Sequence, residues 1–299
     1  MPLAPENKTP HPSNLIAMLV DHVSDPFFAG FARRIDRRAR TLGYKLVLGS
    51  TENDISFMPK LISVFNNMNV AGYIIAPPPG VDPDLKKLLQ KGKPVVLFDR
   101  YPTDPGPYTV LSDNFKGAYE AVGHFVRNGH RHIALVTVGS NQKRITDRRK
   151  GYSAAIDNHR LPSYITELPA SASADQVKTA IRTLLQANKA IDAVLFADYS
   201  LTFTGLAALR QQKKRIPDHI AVIGFDDNEN FQLFAPALTA VVQPLDEMVE
   251  NILQCIAGHS GEKSARRRPT PIVLPTRMVI RSSTIRTPST LHLSTTLHR

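Results

Sequence analysis

The chain has 299 residues, 42% of them hydrophobic and 21% charged, an ordinary globular composition that excludes a disordered polymer. Its single cysteine, Cys255, excludes an intrachain disulfide, and no apolar run approaches the ~18–20 residues that a membrane span needs. The net charge of +11 is dispersed, with small clusters at Arg33-Arg34, Arg37-Arg38, Lys213-Lys214-Arg215 and Arg266-Arg267-Arg268. Such clusters read as solvated helix faces and loops before they read as a nucleic-acid surface.

The opening MPLAPENKTPHPSN carries four prolines and lacks the apolar stretch of a secretory signal. Residues 1–13 therefore read as a disordered lead, and the chain as cytoplasmic. A strand is predicted at 15–20, then helical spacing over 27–42, a strand at 45–49 and a helix over 56–68. Further strands are expected at 72–76, 94–98 and 109–111. A helix over 114–128 leads into a strand at 132–138. Helices over 147–159 and 175–188 precede a strand at 193–197, and a helix over 201–214 feeds a strand at 220–225. The segment 235–244, with two prolines, reads as a crossover. Residues 284–299, rich in Ser and Thr, read as a mobile tail.

Strands that are apolar on both faces and alternate with helices mean parallel sheets covered on both sides. The expected class is α/β. Counting gives roughly ten strands, which fits two lobes, each with its own core, better than one sheet. The first lobe is expected over 14–112, completed by about 244–268. The second is expected over 113–243, completed by about 269–283.

Much familiar chemistry is missing. No GxGxxG follows a strand, and neither a Walker-type phosphate loop, a GxSxG elbow nor an HExxH pair is present. His130 and His132 lack further ligands at metal spacing and read as strand-entry residues. The pattern implies no enzyme, no cofactor and no metal.

In open parallel sheets, ligands bind outside the carboxyl ends of the strands. Asp21 and the Ser24-Asp25-Pro26-Phe27-Phe28 turn follow the first strand. Asp99-Arg100 and Asp113-Asn114 follow two others. A polar loop ending in Asp147-Arg148-Arg149 follows the strand at 132–138. Asp198-Tyr199 and Asp226-Asp227 follow the last two. Carboxylates accept from hydroxyls, guanidinium groups donate from a rigid fork, and aromatic rings cover the apolar side of a sugar. Asp25, Asp113 and Asp147 also suit helix N-caps, and Phe27 suits a core. Asp99, Arg148 and Asp226 have no such local structural reason to be polar.

These residues resemble the effector-binding core of the lac-repressor-type transcription regulators. The resemblance is carried in chain order by the SDPFF turn, VVLFDR at 95–100, Asp113-Asn114 with Gly117-Ala118, and GHRHIA at 129–134. It continues with Arg148 to Tyr152, the IPxxIAVIGFDD run at 216–227, the proline crossover at 236–244 and the closing LPxxxVxRSS at 274–283. It covers about residues 14–283.

The resemblance implies a two-lobed, periplasmic-binding-protein-like fold that closes over a small-molecule effector, a sugar or sugar derivative. It implies that Phe28 stacks on that effector, that Asp99, Arg148 and Asp226 hydrogen-bond to it, and that Asp25, Asp198 and Gln243 belong to the same site. Asp198-Tyr199 stands where the family has an Asn-Asp pair. The family is dimeric and binds operator DNA through a helix-turn-helix headpiece. No such headpiece is seen in these residues, and they offer no membrane partner. The implied function is effector sensing coupled to operator affinity. The alternative is a free-standing sugar-binding protein of the transport type, and the effector's identity lies beyond the sequence.

Overall fold

The computed structural model describes residues 13–52, 54–78, 80–100, 108–140, 142–258 and 270–285. The proline-rich lead, the Arg266–Arg268 cluster and the Ser/Thr-rich tail beyond 285 lie outside the described residues. The chain divides into two compact units. Unit 1 holds the residues through Lys116, then Asn141–Asp147 and Gln243–Arg277. Unit 2 holds Gly117–Ser140, Arg148–Val242 and the residues from Met278 on.

In unit 1, strands β1 (Leu15–Val20), β2 (Lys45–Ser50), β3 (Gly72–Ile75), β4 (Val95–Phe98), β5 (Thr109–Ser112) and β11 (Ile272–Leu274) form one sheet in the order β11-β5-β4-β3-β1-β2. β1 pairs in parallel with β2 and β3, β3 with β4, β4 with β5, and β5 with β11. Helix α1 (Pro26–Thr41) shows why its sequence folds as it does. Asp25 caps it, Pro26 presets the first turn, and Phe28, Phe31, Ile35 and Ala39 recur at helical spacing and are buried. With α8 (Leu245–Ala257) it covers one face of the sheet. α2 (Phe57–Asn67) and α3 (Asp82–Leu89) cover the other.

Unit 2 repeats the plan. β6 (Ile133–Gly139), β7 (Tyr164–Pro169), β8 (Ala193–Phe196), β9 (Ala221–Phe225), β10 (Thr239–Val242) and β12 (Arg277–Val279) lie in the order β12-β10-β9-β8-β6-β7. Its faces are covered by α4 (Asn114–Arg127) with α5 (Lys143–Asn158), and by α6 (Ala174–Ala187) with α7 (Tyr199–Gln211). The Ser173/Gln176 capping box starts α6. The buried Tyr152 hydroxyl donates to Ile133 O at 2.8 Å and accepts from Tyr164 N at 3.0 Å, tying α5 to the starts of β6 and β7.

The α/β class with parallel sheets is as expected. Twelve strands stand among the described residues, against the roughly ten expected from apolar runs. β7 has a single buried residue, and β11 and β12 have three residues each, so none announces itself as an apolar run. β10 lies inside the segment read as a crossover. Helix α5 starts at Lys143, four residues before the expected start. Asp147 therefore does not cap it, and instead pairs with Lys143 one turn back.

Candidate functional site

Charged side chains gather at the carboxyl ends of the strands in each unit. In unit 1, β4 delivers Asp99 and Arg100. Arg100 pairs with Asp21 at the end of β1, and its Nε lies 3.3 Å from the Asp99 carboxylate. Arg144, in the first turn of α5, brings its Nε to 3.3 Å from the same carboxylate. Asp21, Asp99 and Arg100 are buried. Asp21 Oδ1 and the Thr51 hydroxyl are buried with no hydrogen-bond partner among the described residues.

The other unit 1 candidates have structural duties. Asp25 caps α1, its carboxylate accepting from Phe27 N at 2.8 Å. Phe28 is buried in an aromatic cluster, 5.3 Å from Phe27 and 6.0 Å from Phe98, with the Arg100 guanidinium 5.8 Å from its ring. Gln243 is buried, its Oε1 accepting from the Ser112 hydroxyl at 2.7 Å. Asp113 caps α4, accepting from Lys116 N at 2.9 Å.

In unit 2, Arg148 sits in the second turn of α5 and is completely buried. Its guanidinium forks onto Asp226, Nη1 to Oδ2 at 3.1 Å and Nη2 to Oδ1 at 3.3 Å. Nη1 also donates to Ala197 O at 2.5 Å, and the group lies 3.9 Å over the Phe225 ring. Asp198 caps α7, accepting from Leu201 N at 2.8 Å. Tyr199, beside it, packs parallel to Phe231 at 5.8 Å and against Phe203 at 4.6 Å.

Asp99 and Asp226 share a further property. Both hold left-handed backbone, with φ of 60° and 66°. A non-glycine residue there costs on the order of 1–3 kcal/mol, and such strain concentrates at functional sites. Each follows a buried phenylalanine at the end of the fourth strand of its unit.

Asp99, Arg148 and Asp226 thus stand at the core of the charged clusters, Asp99 in one unit and the Arg148–Asp226 pair in the other. Asp21, Arg100 and Arg144 join them. The first two were visible as charged residues at strand ends. Arg144 gave no signal, because helical spacing placed the start of α5 beyond it.

The chemistry is that of hydrogen bonding. No cluster of metal-ligating side chains occurs among the described residues. Ser50, Glu52 and His22 meet at the ends of β1 and β2, but both the serine hydroxyl and the imidazole bond to Glu52. The serine hydroxyl and then His22 hold the Glu52 carboxyl below its usual range. That order lacks the serine–histidine contact of a nucleophile.

The profile of the periplasmic binding protein-like domain matches residues 122–284, more than half the chain. The chain belongs to that family. Its relatives place this periplasmic binding protein-like chain with the lac-repressor-type regulators, as the motifs implied. It is 29% identical over 282 residues to the HTH-type transcriptional regulator DegA of Bacillus subtilis, covering 91% of this chain and 81% of that protein. It is 26% identical over 275 residues to the ribose operon repressor of Halalkalibacterium halodurans, covering 91% and 80%. In fold it is similar to a periplasmic binding protein/LacI transcriptional regulator of Alkaliphilus metalliredigens solved with D-xylulofuranose. There the TM-score is 0.75 at 22% identity, over 92% of this chain and all of that one. No described helix of this family member is long and apolar enough to cross a membrane.

Proposed function

We propose that this chain is the effector-sensing core of a lac-repressor-type transcription regulator. It is a cytoplasmic, non-enzymatic homodimer that binds an uncharged sugar or close relative through the strand-end residues of its units. Asp99, Arg148 and Asp226 bind the effector directly, joined by Asp21, Arg100 and Arg144. Phe28 supplies an aromatic edge, and Asp25, Asp198 and Gln243 line the same ends. Operator DNA is read by a headpiece outside the described residues. By linkage, effector and operator change each other's affinity by the same factor.

The observation that carries the reading is the charge balance of these clusters. Asp21, Asp99 and Asp226 stand against Arg100, Arg144 and Arg148, and each is paired within its own unit. A set already neutral offers strong donors and acceptors to hydroxyls but no spare charge for an anion. Relatives that are regulators favour this reading over a free-standing transport protein.

Calorimetric titration of the chain with D-ribose, D-xylulose and sucrose tests it. At least one is expected to bind, and Arg148→Ala to weaken that binding by roughly 1.5–3 kcal/mol, the range for a charge-assisted hydrogen bond. Unchanged affinity in the variant removes Arg148 from the site. Light scattering is expected to give twice the 33.1 kDa chain mass.

A further inference from the structure

We propose that Arg281 is a positioning residue, one that holds the Asp226 carboxylate in place from the end of the fold without touching the effector. The functional half rests on the reading of Asp226 as an effector ligand. The structural half does not.

After β9 the chain leaves the sheet at Asp226-Asp227, makes a 3-10 turn over Glu229–Gln232 and returns through Leu238 to β10. Arg281 holds both ends of that excursion. Its Nη1 and Nη2 donate to Asp227 Oδ1 and Oδ2 at 2.9 and 2.7 Å, and Nη1 also donates to Leu238 O at 2.6 Å. Parallel arginine–carboxylate forks are the strongest and most directional side-chain hydrogen bonds. This one is shielded, the two side chains being 14% and 17% exposed.

The base of the clamp is itself fixed. Arg281 N donates to Thr239 Oγ1 at 2.9 Å, and the threonine hydroxyl donates back to Arg281 O at 3.0 Å. Two residues on, Ser283 Oγ donates to Val222 O in β9 at 2.6 Å and accepts from Thr239 N at 2.8 Å. The segment carrying Arg281 is thereby stitched to the strands on either side of the excursion.

Asp226 is one planar peptide from the clamped Asp227. It holds strained left-handed backbone, and its N–H donates to Val241 O at 3.0 Å. Fixing the next carboxylate restrains the chain on the C-terminal side of Asp226 and so limits how far that residue can relax. The fork also neutralises Asp227, the residue that follows Asp226 in the chain.

The test uses the full chain and the variants Arg281→Gln, Arg281→Lys and the charge-swapped pair Asp227→Arg with Arg281→Asp. Amide exchange at Asp226 is compared with Leu195 in β8 of the same sheet, and calorimetry uses D-ribose and D-xylulose. Arg281→Gln is expected to speed exchange at Asp226 by about ten-fold with Leu195 unchanged, and to weaken sugar binding by about ten-fold, the usual scale for a residue supporting a ligand. Arg281→Lys is expected to behave alike, because an ammonium cannot fork, and the swapped pair to recover protection. Equal acceleration at Asp226 and Leu195, or full protection in Arg281→Lys, overturns the proposal. Weaker exchange protection with unaltered sugar affinity overturns its functional half. Should neither sugar bind the parent chain, the assignment of these sugars fails by itself, and amide exchange still decides whether Arg281 positions Asp226.

Discussion

Asp99 and Asp226 sit at corresponding places in the two units, each after a buried phenylalanine and each in left-handed backbone, yet they are neutralised in different ways. Asp99 faces Arg100, its own neighbour in sequence, and Arg144 from the first turn of α5. Asp226 faces Arg148, which is wholly buried within α5, anchored on Ala197 O and stacked over Phe225. One cluster shares its charge among two aspartates, Asp21 and Asp99, and two arginines, Arg100 and Arg144. The other builds a single fork into the core. Burying an ion pair costs several kcal/mol per ion in desolvation, which only close pairing repays. Losing one partner therefore has different consequences in the two units.

The sharpest way to break the comparison is to remove one guanidinium from each. Arg148→Met leaves the Asp226 carboxylate without its fork and is expected to destabilise unit 2 by about 3–5 kcal/mol. Arg144→Met leaves the buried Asp99 still beside Arg100, and is expected to cost about 1–3 kcal/mol, less than Arg148→Met. Urea unfolding of both variants gives the two values. Similar losses would show that Asp99 and Asp226 are held alike.

A smaller effect sharpens the comparison at the helix starts. Asp25 in unit 1 and Asp198 in unit 2 both cap helices, so each has a structural role apart from any effector. Asp198→Ala is expected to cost about 0.5–2 kcal/mol, the usual loss on deleting a cap, and Asp198→Asn much less. Asparagine keeps the cap and removes the charge. A change in sugar affinity in Asp198→Asn without a change in Tm therefore assigns the carboxylate to the effector. Unchanged affinity leaves Asp198 as a cap alone.

The legible parts of the molecule were those with a repeating pattern. Strands such as LIAMLV and AVIGF are apolar on both faces and declare a covered parallel sheet. Asp99, Arg148 and Asp226 stood out because nothing local explained their polarity. Their pairing was not legible, since Arg148 and Asp226 are 78 residues apart and only the fold joins them. Nor was the left-handed backbone, which aspartate tolerates without a sequence mark. Arg144 was lost to a helix boundary, the least certain feature of any periodic pattern. Short edge strands carry too few buried residues to show a period.

Acid should separate the units by the smallest margin. In unit 1 the carboxyls held below their usual range, Glu52 and Asp54, are exposed and owe their shifts to hydrogen bonds with nearby serines, Ser50 and Ser56. In unit 2 the affected groups are packed at the amino ends of the strands. Burial lowers the His124 pKa, helped by the charges of Arg127 and His130, and its Nε2 lies 2.9 Å from the Thr284 hydroxyl. A histidine whose folded pKa is depressed gains its proton more readily when unfolded. Stability from this group is therefore present above the unfolded value of 6.5 and declines as pH falls below it. Asp192 adds a second step. Burial pushes its carboxyl up, but the His130 hydrogen bond and charge and the amides of His132 and Arg131 outweigh that and leave it low. Its contribution holds above the unfolded value of 3.8 and is lost as pH falls through the folded one. Amide exchange at pH 7.5, 5.5 and 3.5 is expected to show β6 and β8 losing protection before β1 and β3, with the first step absent in His124→Gln. Earlier loss in β1 and β3 would place the acid-sensitive groups in unit 1.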